Sequence, residues 1–115
     1  MTDARELLLH YVEAHNQCVR TGCREELIAL FSPRAEFRFE GIAFPTMRGR
    51  DEIDAAFRDH APDDVLVIRS IQTDGKTATA VYEWGACPGV LSGELQLGIA
   101  DGLIETLVVT VSNRA

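Results

Sequence analysis

Asp101-Gly102, set between "GELQLGIA" and "LIETLVVTV", constrains this chain more than any other feature. Asp-Gly between two alternating apolar runs predicts a β-hairpin, because a type I′ turn needs positive φ at both central positions. A second hairpin is predicted from "VLVIRSIQ" and "TATAVYEW", joined by Thr73-Asp74-Gly75-Lys76. Cys87-Pro88-Gly89 supplies a looser turn between the two hairpins. Everything after Asp64 therefore reads as four antiparallel strands in sequence order.

The first half of the chain has a helical period instead. Asp3 followed by Glu6 is an N-terminal capping signal, and the pattern runs from there to about Arg20. Leu8, Tyr11, Val12, His15, Cys18 and Val19 share one face, and His10, Glu13, Gln17 and Arg20 the opposite one. Gly22 suits a left-handed stop. A shorter helix carries Leu27, Ile28 and Phe31 and is closed by Ser32-Pro33, since a residue before proline is pushed out of the helical region. A strand from Ala35 to Glu40 and a loop containing Pro45 lead to a third helix, from about Arg50 to His60. Its apolar stripe is Ile53, Ala56, Phe57 and His60, and Asp51 and Glu52 occupy its first turn, where the helix dipole favours anions. Ala61-Pro62 ends it.

The order helix, helix, strand, helix, then four strands predicts an α+β architecture, and 115 residues suit a single domain over 1–115. A strongly curved antiparallel sheet of this kind can wrap round the first helix and leave a cavity between them. Leu95, Leu97 and Ile99 would face the concave side, and Glu94 and Gln96 the outside. In the last strand Leu103, Leu107, Val109 and Val111 lie on one face and Ile104 and Val108 on the other. A strand apolar on both faces is covered on both, which predicts a homodimer through the sheet.

Charge narrows the partners. A formal net charge of −7 argues against nucleic acid, whose binders need a basic face. No run of about 18 apolar residues marks a membrane span, and no apolar signal segment follows Met1, so the expected setting is the cytoplasm. Cys18, Cys23 and Cys87 form no C-x-x-C and have no histidine at metal spacing, so they read as buried, reduced thiols, with no metal site. No phosphate-binding glycine loop or other cofactor motif is present, and none is expected.

On "YVEAHN", "GCREELIALFSPRAEFRF", "RGRDEIDAAF" and "ADGLIETLVV", nearly the whole chain resembles the nuclear-transport-factor-2-like superfamily, in its SnoaL-like and ketosteroid-isomerase-like branches. The resemblance implies a cone: a curved antiparallel sheet wrapped around the N-terminal helices as a cystatin-like α+β barrel, often dimeric, with a mostly apolar pocket between sheet and helices. That superfamily includes isomerases, dehydratases, epoxide hydrolases and polyketide cyclases, and also non-catalytic modules, so the fold alone does not choose a function. In the isomerases a carboxylate at the end of the first strand shuttles a proton. Counting back nine residues from Gly49 places it on Glu40; counting forward with Phe31 aligned places it on Phe39. Alternation turns Phe37 and Phe39 inward and Glu40 outward, and a bulge at Gly41 would reverse Glu40. Tyr11 and His15, one turn apart on the first helix, are the candidate hydrogen-bond donors to a ligand carbonyl, the isomerases using a tyrosine on this helix. A second donor would be an acid, Glu94 or Glu105.

Where epoxide hydrolases carry an arginine and an aspartate, this chain reads "VYEWG". Tyr82 and Trp84, sharing a face with Ala78 and Ala80, suggest a flat aromatic wall for a planar or polycyclic apolar ligand, and equally suit core packing. Arg48 and Arg50 flank Gly49 before the third helix and could hold a small anion, or pair with surface acids. Three readings result: a cofactor-independent enzyme acting on a carbonyl compound through Glu40 with Tyr11 or His15, a binding module lined by Tyr11, Phe39, Tyr82 and Trp84, and a filled structural dimer.

Overall fold

The computed structural model describes residues 3–86, 89 and 93–111; Cys87 and most of the turn between the hairpins fall outside them. Helix α1 (Ala4–Thr21) starts where Asp3 accepts the Glu6 N–H at 2.8 Å and stops at Gly22, which takes the left-handed conformation. Its buried stripe includes Leu7, Leu8, Tyr11, Val12, His15 and Cys18. Helices α2 (Glu25–Ala29) and α3 (Arg50–Asp59) are shorter. The strands are β1 (Phe31–Glu40), β2 (Met47–Arg48), β3 (Leu66–Asp74), β4 (Thr77–Trp84), β5 (Gly93–Ala100) and β6 (Leu103–Val111). Both hairpins form where expected: Asp74 pairs with Thr77, and Ala100 pairs with Leu103 across Asp101 and Gly102, both at positive φ.

The α+β class holds, but the expected cone does not. The strands form one mixed sheet in the order β2-β1-β6-β5-β4-β3, with β1 parallel to β6. Its edges, β2 and β3, do not pair with each other, so the sheet is open: it neither closes into a cystatin-like barrel nor curls strongly around the helices. Alternation tells which face a residue takes but not the direction of a distant partner. A parallel pair needs a long crossover, and the segment between β1 and β6 supplies it.

Two irregularities correct the sequence reading further. Phe31 opens β1 and does not belong to α2, which ends at Ala29. The pairing of β1 with β6 jumps from Phe31–Ile104 to Glu36–Thr106, and the skipped stretch contains Pro33, which has no N–H to give a ladder. On the other side of β6, Ile104 pairs with Ile99 and Thr106 with Gly98, which leaves Glu105 as an extra, bulged residue. The bulge resets the alternation, so Ile104 is fully buried together with Leu107. Val108 stays on the outer face, opposite Arg38 and Gln96. With Ile104 inside, the expected division of β6 between its faces changes, while half-buried Val108 keeps an apolar residue on the outer one.

The inner face carries rows of matched side chains: Phe37, Leu107, Leu97 and Ala78 in one, Phe39, Val109, Leu95 and Ala80 in the next. The stripe of α1 packs on this face, each large side chain contributing about 1.5–3 kcal/mol by burial. Directional bonds fix the helices on it. Arg50 Nε donates to the Phe31 carbonyl at 3.1 Å, tying the start of α3 to β1. Asn16 of α1 makes two bonds to the backbone of Leu66 in β3: Nδ2 donates to the carbonyl at 2.9 Å, and Oδ1 accepts the N–H at 2.8 Å. Leu66 is buried, so Asn16→Ala leaves both of its peptide groups unpaired. We expect that variant to lose about 2–4 kcal/mol in urea denaturation; a loss below about 1 kcal/mol would mean that water replaces the amide freely.

Candidate functional site

Between α1, the end of α3 and the inner face of the sheet lies a cavity of about 170 Å³. Tyr11 and His15 of α1, Phe37 and Phe39 of β1, Phe57 of α3, and Trp84 of β4 supply its rings. His60, Pro62, Leu66, Leu95 and Val109 complete the wall. A smaller recess of about 80 Å³ adjoins it, sharing Phe37, Phe39, Phe57 and His60 and extending to Phe44 and Met47. The rings contact one another in series. Phe37 stacks on Phe39 at 5.0 Å, Phe44 meets His60 edge-on at 5.5 Å, and Tyr11 lies 6.0 Å from His15, which lies 6.3 Å from Trp84. Such contacts hold the wall in shape by more than its buried area.

Of the residues expected at a site, Tyr11, His15, Phe39 and Trp84 converge on this cavity. Tyr82 is fully buried and supports Trp84 edge-on at 5.3 Å without lining the cavity. Glu40 is elsewhere. The register from Glu36 to Glu40 against β6 is unbroken, so no bulge at Gly41 turns it inward. Gly41, at φ 92°, is held by its own constraint, since a Cβ there would overlap the Val111 carbonyl. Glu40 therefore sits on the outer face with half of its side chain exposed, 3.4 Å from Arg38. Arg48 lies at the β2 edge, its side chain 71% exposed and 3.7 Å from Glu36, away from the cavity. Arg50 is occupied by the Phe31 carbonyl. Glu94 and Glu105 are exposed on the sheet and its bulge. The cysteine expectation also needs correction: Cys18 is buried but Cys23 is exposed. Among the described residues no cluster of three or more His, Cys, Asp or Glu could hold a metal, and no helix is long and apolar enough to cross a membrane.

Sequence reasoning assigned no role to Asn16, and placed Phe57 and His60 only in a core stripe. An asparagine inside a helix, where its propensity is poor, was the available signal for a side chain with another task. That task extends beyond Leu66, because His15 Nδ1 lies 3.1 Å from the same Asn16 Oδ1.

Burial sets the protonation of this wall. It pushes the Tyr11 hydroxyl far up, with smaller contributions from Tyr82 and Cys18, and it raises Tyr82 as well. Burial also lowers the His15 pKa, opposed by the bond to Asn16 and by the charge of Asp64. Asp64 is itself held near the end of β4, accepting the Val65 and Ala86 N–H groups at 2.8 and 3.1 Å. His15 is thus neutral at neutral pH. Tyr82 Oη is sealed from solvent without a hydrogen-bond partner among the described residues.

A histidine whose pKa falls on folding binds its proton more readily in the unfolded chain. Its contribution to stability is full above the unfolded value of about 6.5 and is lost as pH falls through the folded value. Between about pH 7 and about pH 5 the protein should therefore lose more stability in urea than His15→Phe does. Equal losses in the two proteins would assign the acid sensitivity to other groups.

Among curated proteins nothing matches the chain. Solved structures share its fold at low identity. A protein from Sphaerobacter thermophilus superposes with a TM-score of 0.76 at 19% identity, over 99% of this chain and 100% of its own. An NTF2-like protein of unknown function from Cytophaga hutchinsonii does so with 0.73 at 13%, over 97% and 92%. A protein of unknown function with cystatin-like fold from Methylobium petroleophilum gives 0.71 at 16%, over 100% and 82%. The family model of the SnoaL-like domain matches residues 12–103. With most of its length inside that match, the chain belongs to the SnoaL-like domain family.

Proposed function

We propose that the protein binds a small, largely apolar molecule of single-ring size in the cavity between α1 and the sheet. The observation that carries this reading is an aromatic wall around about 170 Å³, with two polar side chains, Tyr11 and His15, on its α1 side. An engineered apolar cavity of about 150 Å³ holds benzene, so the volume suits one ring and is too small for the polycyclic ligand that the aromatic strand suggested. An apolar enclosure with a few convergent polar groups is the usual form of a small-molecule site.

Proton-transfer chemistry of the isomerase, dehydratase or cyclase type is the second reading, and what favours it is the placement of His15. Glu40 is outside, and the titratable groups among the described wall residues are Tyr11, His15 and His60. A neutral, partly desolvated histidine is able to accept a proton, and Tyr11 beside it is able to donate a hydrogen bond to a developing oxyanion. Without turnover the same wall serves a binding module.

Trp84 is the chain's single tryptophan and lines the cavity, so its fluorescence reports occupancy. Titration with monocyclic arenes should give saturable changes, and Leu95→Phe, which narrows the space and leaves Trp84 the single tryptophan, should weaken binding at least about tenfold while the protein stays folded. Glu40→Gln should leave binding unchanged and stability within about 0.5 kcal/mol. No saturable response from any such arene would sink the reading.

A further inference from the structure

We infer that the molecule held in this cavity carries a neutral hydroxyl, of phenol or enol type, which it donates to His15 Nε2. The inference rests on the binding reading above and names its ligand class.

The argument starts from the backbone of Leu66, whose chemistry is not adjustable. A peptide N–H can only donate and a peptide carbonyl can only accept. The atom of Asn16 that meets the N–H at 2.8 Å is therefore oxygen, and the one that meets the carbonyl at 2.9 Å is the amide nitrogen. This removes the usual freedom to flip an asparagine. The oxygen so fixed has no hydrogen to give, and it lies 3.1 Å from His15 Nδ1. The bond between them exists only if Nδ1 carries the proton. A neutral imidazole has one N–H, so Nε2 is left as a bare lone pair.

No bond to Nε2 is formed among the described residues. Tyr82 Oη is the one described side-chain polar atom that is both sealed and unpaired, so Nε2 is not sealed. His15 is 4% exposed and lines the cavity, which gives its remaining opening a direction. On its α1 side the cavity wall thus offers an acceptor from His15 and a hydroxyl from Tyr11; His60 lies on the wall at the end of α3, and the other described lining residues are apolar or aromatic.

That pair sorts ligands by their polar atom. A carboxylate would bring its charge against the His15 lone pair with no arginine or lysine among the described wall residues, since Arg48 and Arg50 are elsewhere. A ketone could use Tyr11 but would leave Nε2 unpaired. An apolar ring would leave both unpaired, and a buried acceptor without a partner is costly. A hydroxyl satisfies Nε2 as a donor and can accept from Tyr11 with the same oxygen. This differs from the carbonyl compound expected from sequence, in which His15 was to be a donor.

The test compares p-cresol with p-xylene, which replaces the hydroxyl by a methyl group of similar size, on the full chain. p-Cresol should bind at least about tenfold more tightly, and the gap should close in His15→Phe. Nitrogen NMR of isotope-labelled histidine in the wild-type protein gives a readout that does not depend on a variant folding. The free protein should show His15 with Nδ1 protonated and Nε2 bare, and p-cresol, but not p-xylene, should shift Nε2 towards a hydrogen-bonded value. Equal binding of the two, or a bare Nδ1, overturns this inference and leaves the binding reading standing. Failure of both ligands to bind overturns both.

Discussion

The structure depends on one rule, the alternation of side chains across a sheet that has a single dry face. Phe37 and Phe39 occupy that face with Leu107, Val109, Leu95 and Leu97, and every residue between them is committed to the other. Glu40 has no choice in this. Slipping β1 by one residue to bring it inward would expose two phenylalanines at about 1.5–3 kcal/mol each. The exposed pairs of Arg38 with Glu36 and Glu40 are each worth about 0–1 kcal/mol, so they follow the register and do not set it.

The cavity is a product of the same arrangement. Rings from β1, α1, α3 and β4 meet in stacked and tilted contacts around it and leave space between them. Its polar character is decided one step removed, at Asn16, whose amide is oriented by the backbone of an adjacent strand and in turn orients the ring beside it. The groups at the wall are thereby fixed by contacts that lie outside it, which is how a site keeps its geometry before anything is bound.

Much of this was legible in the sequence where the signal was local. The Asp3 cap, the Gly22 stop and the Asp101-Gly102 turn are each read from a few neighbouring residues, and each forms as read. What depends on distant pairing was not. Nothing in "FSPRAEFRFE" states that its partner is the last strand or that it runs parallel, and Pro33 read as a helix stop because its role as a break in a ladder appears only once the ladder exists. The bulge at Glu105 hid in the same way, so Ile104 was placed on the wrong face. At the site, Tyr11, His15, Phe39 and Trp84 were visible as inward apolar or aromatic positions. Asn16 was not, because its partner is a backbone fifty residues away that only the fold brings near.

The Asn16 amide also bears on how the molecule behaves among copies of itself. Strand β3 is an edge of the sheet, and the N–H and carbonyl of Leu66 point away from β4, toward α1. Those are the groups an incoming chain would use to extend the sheet. Asn16 occupies both, as one residue of an additional strand would, and two residues further on the edge is interrupted by the irregularity between Ile68 and Ser70, which sets Arg69 at the break. At this point of the edge the sheet offers no straight, unpaired margin, and the side chain that orders the interior also covers the backbone groups an added strand would meet first.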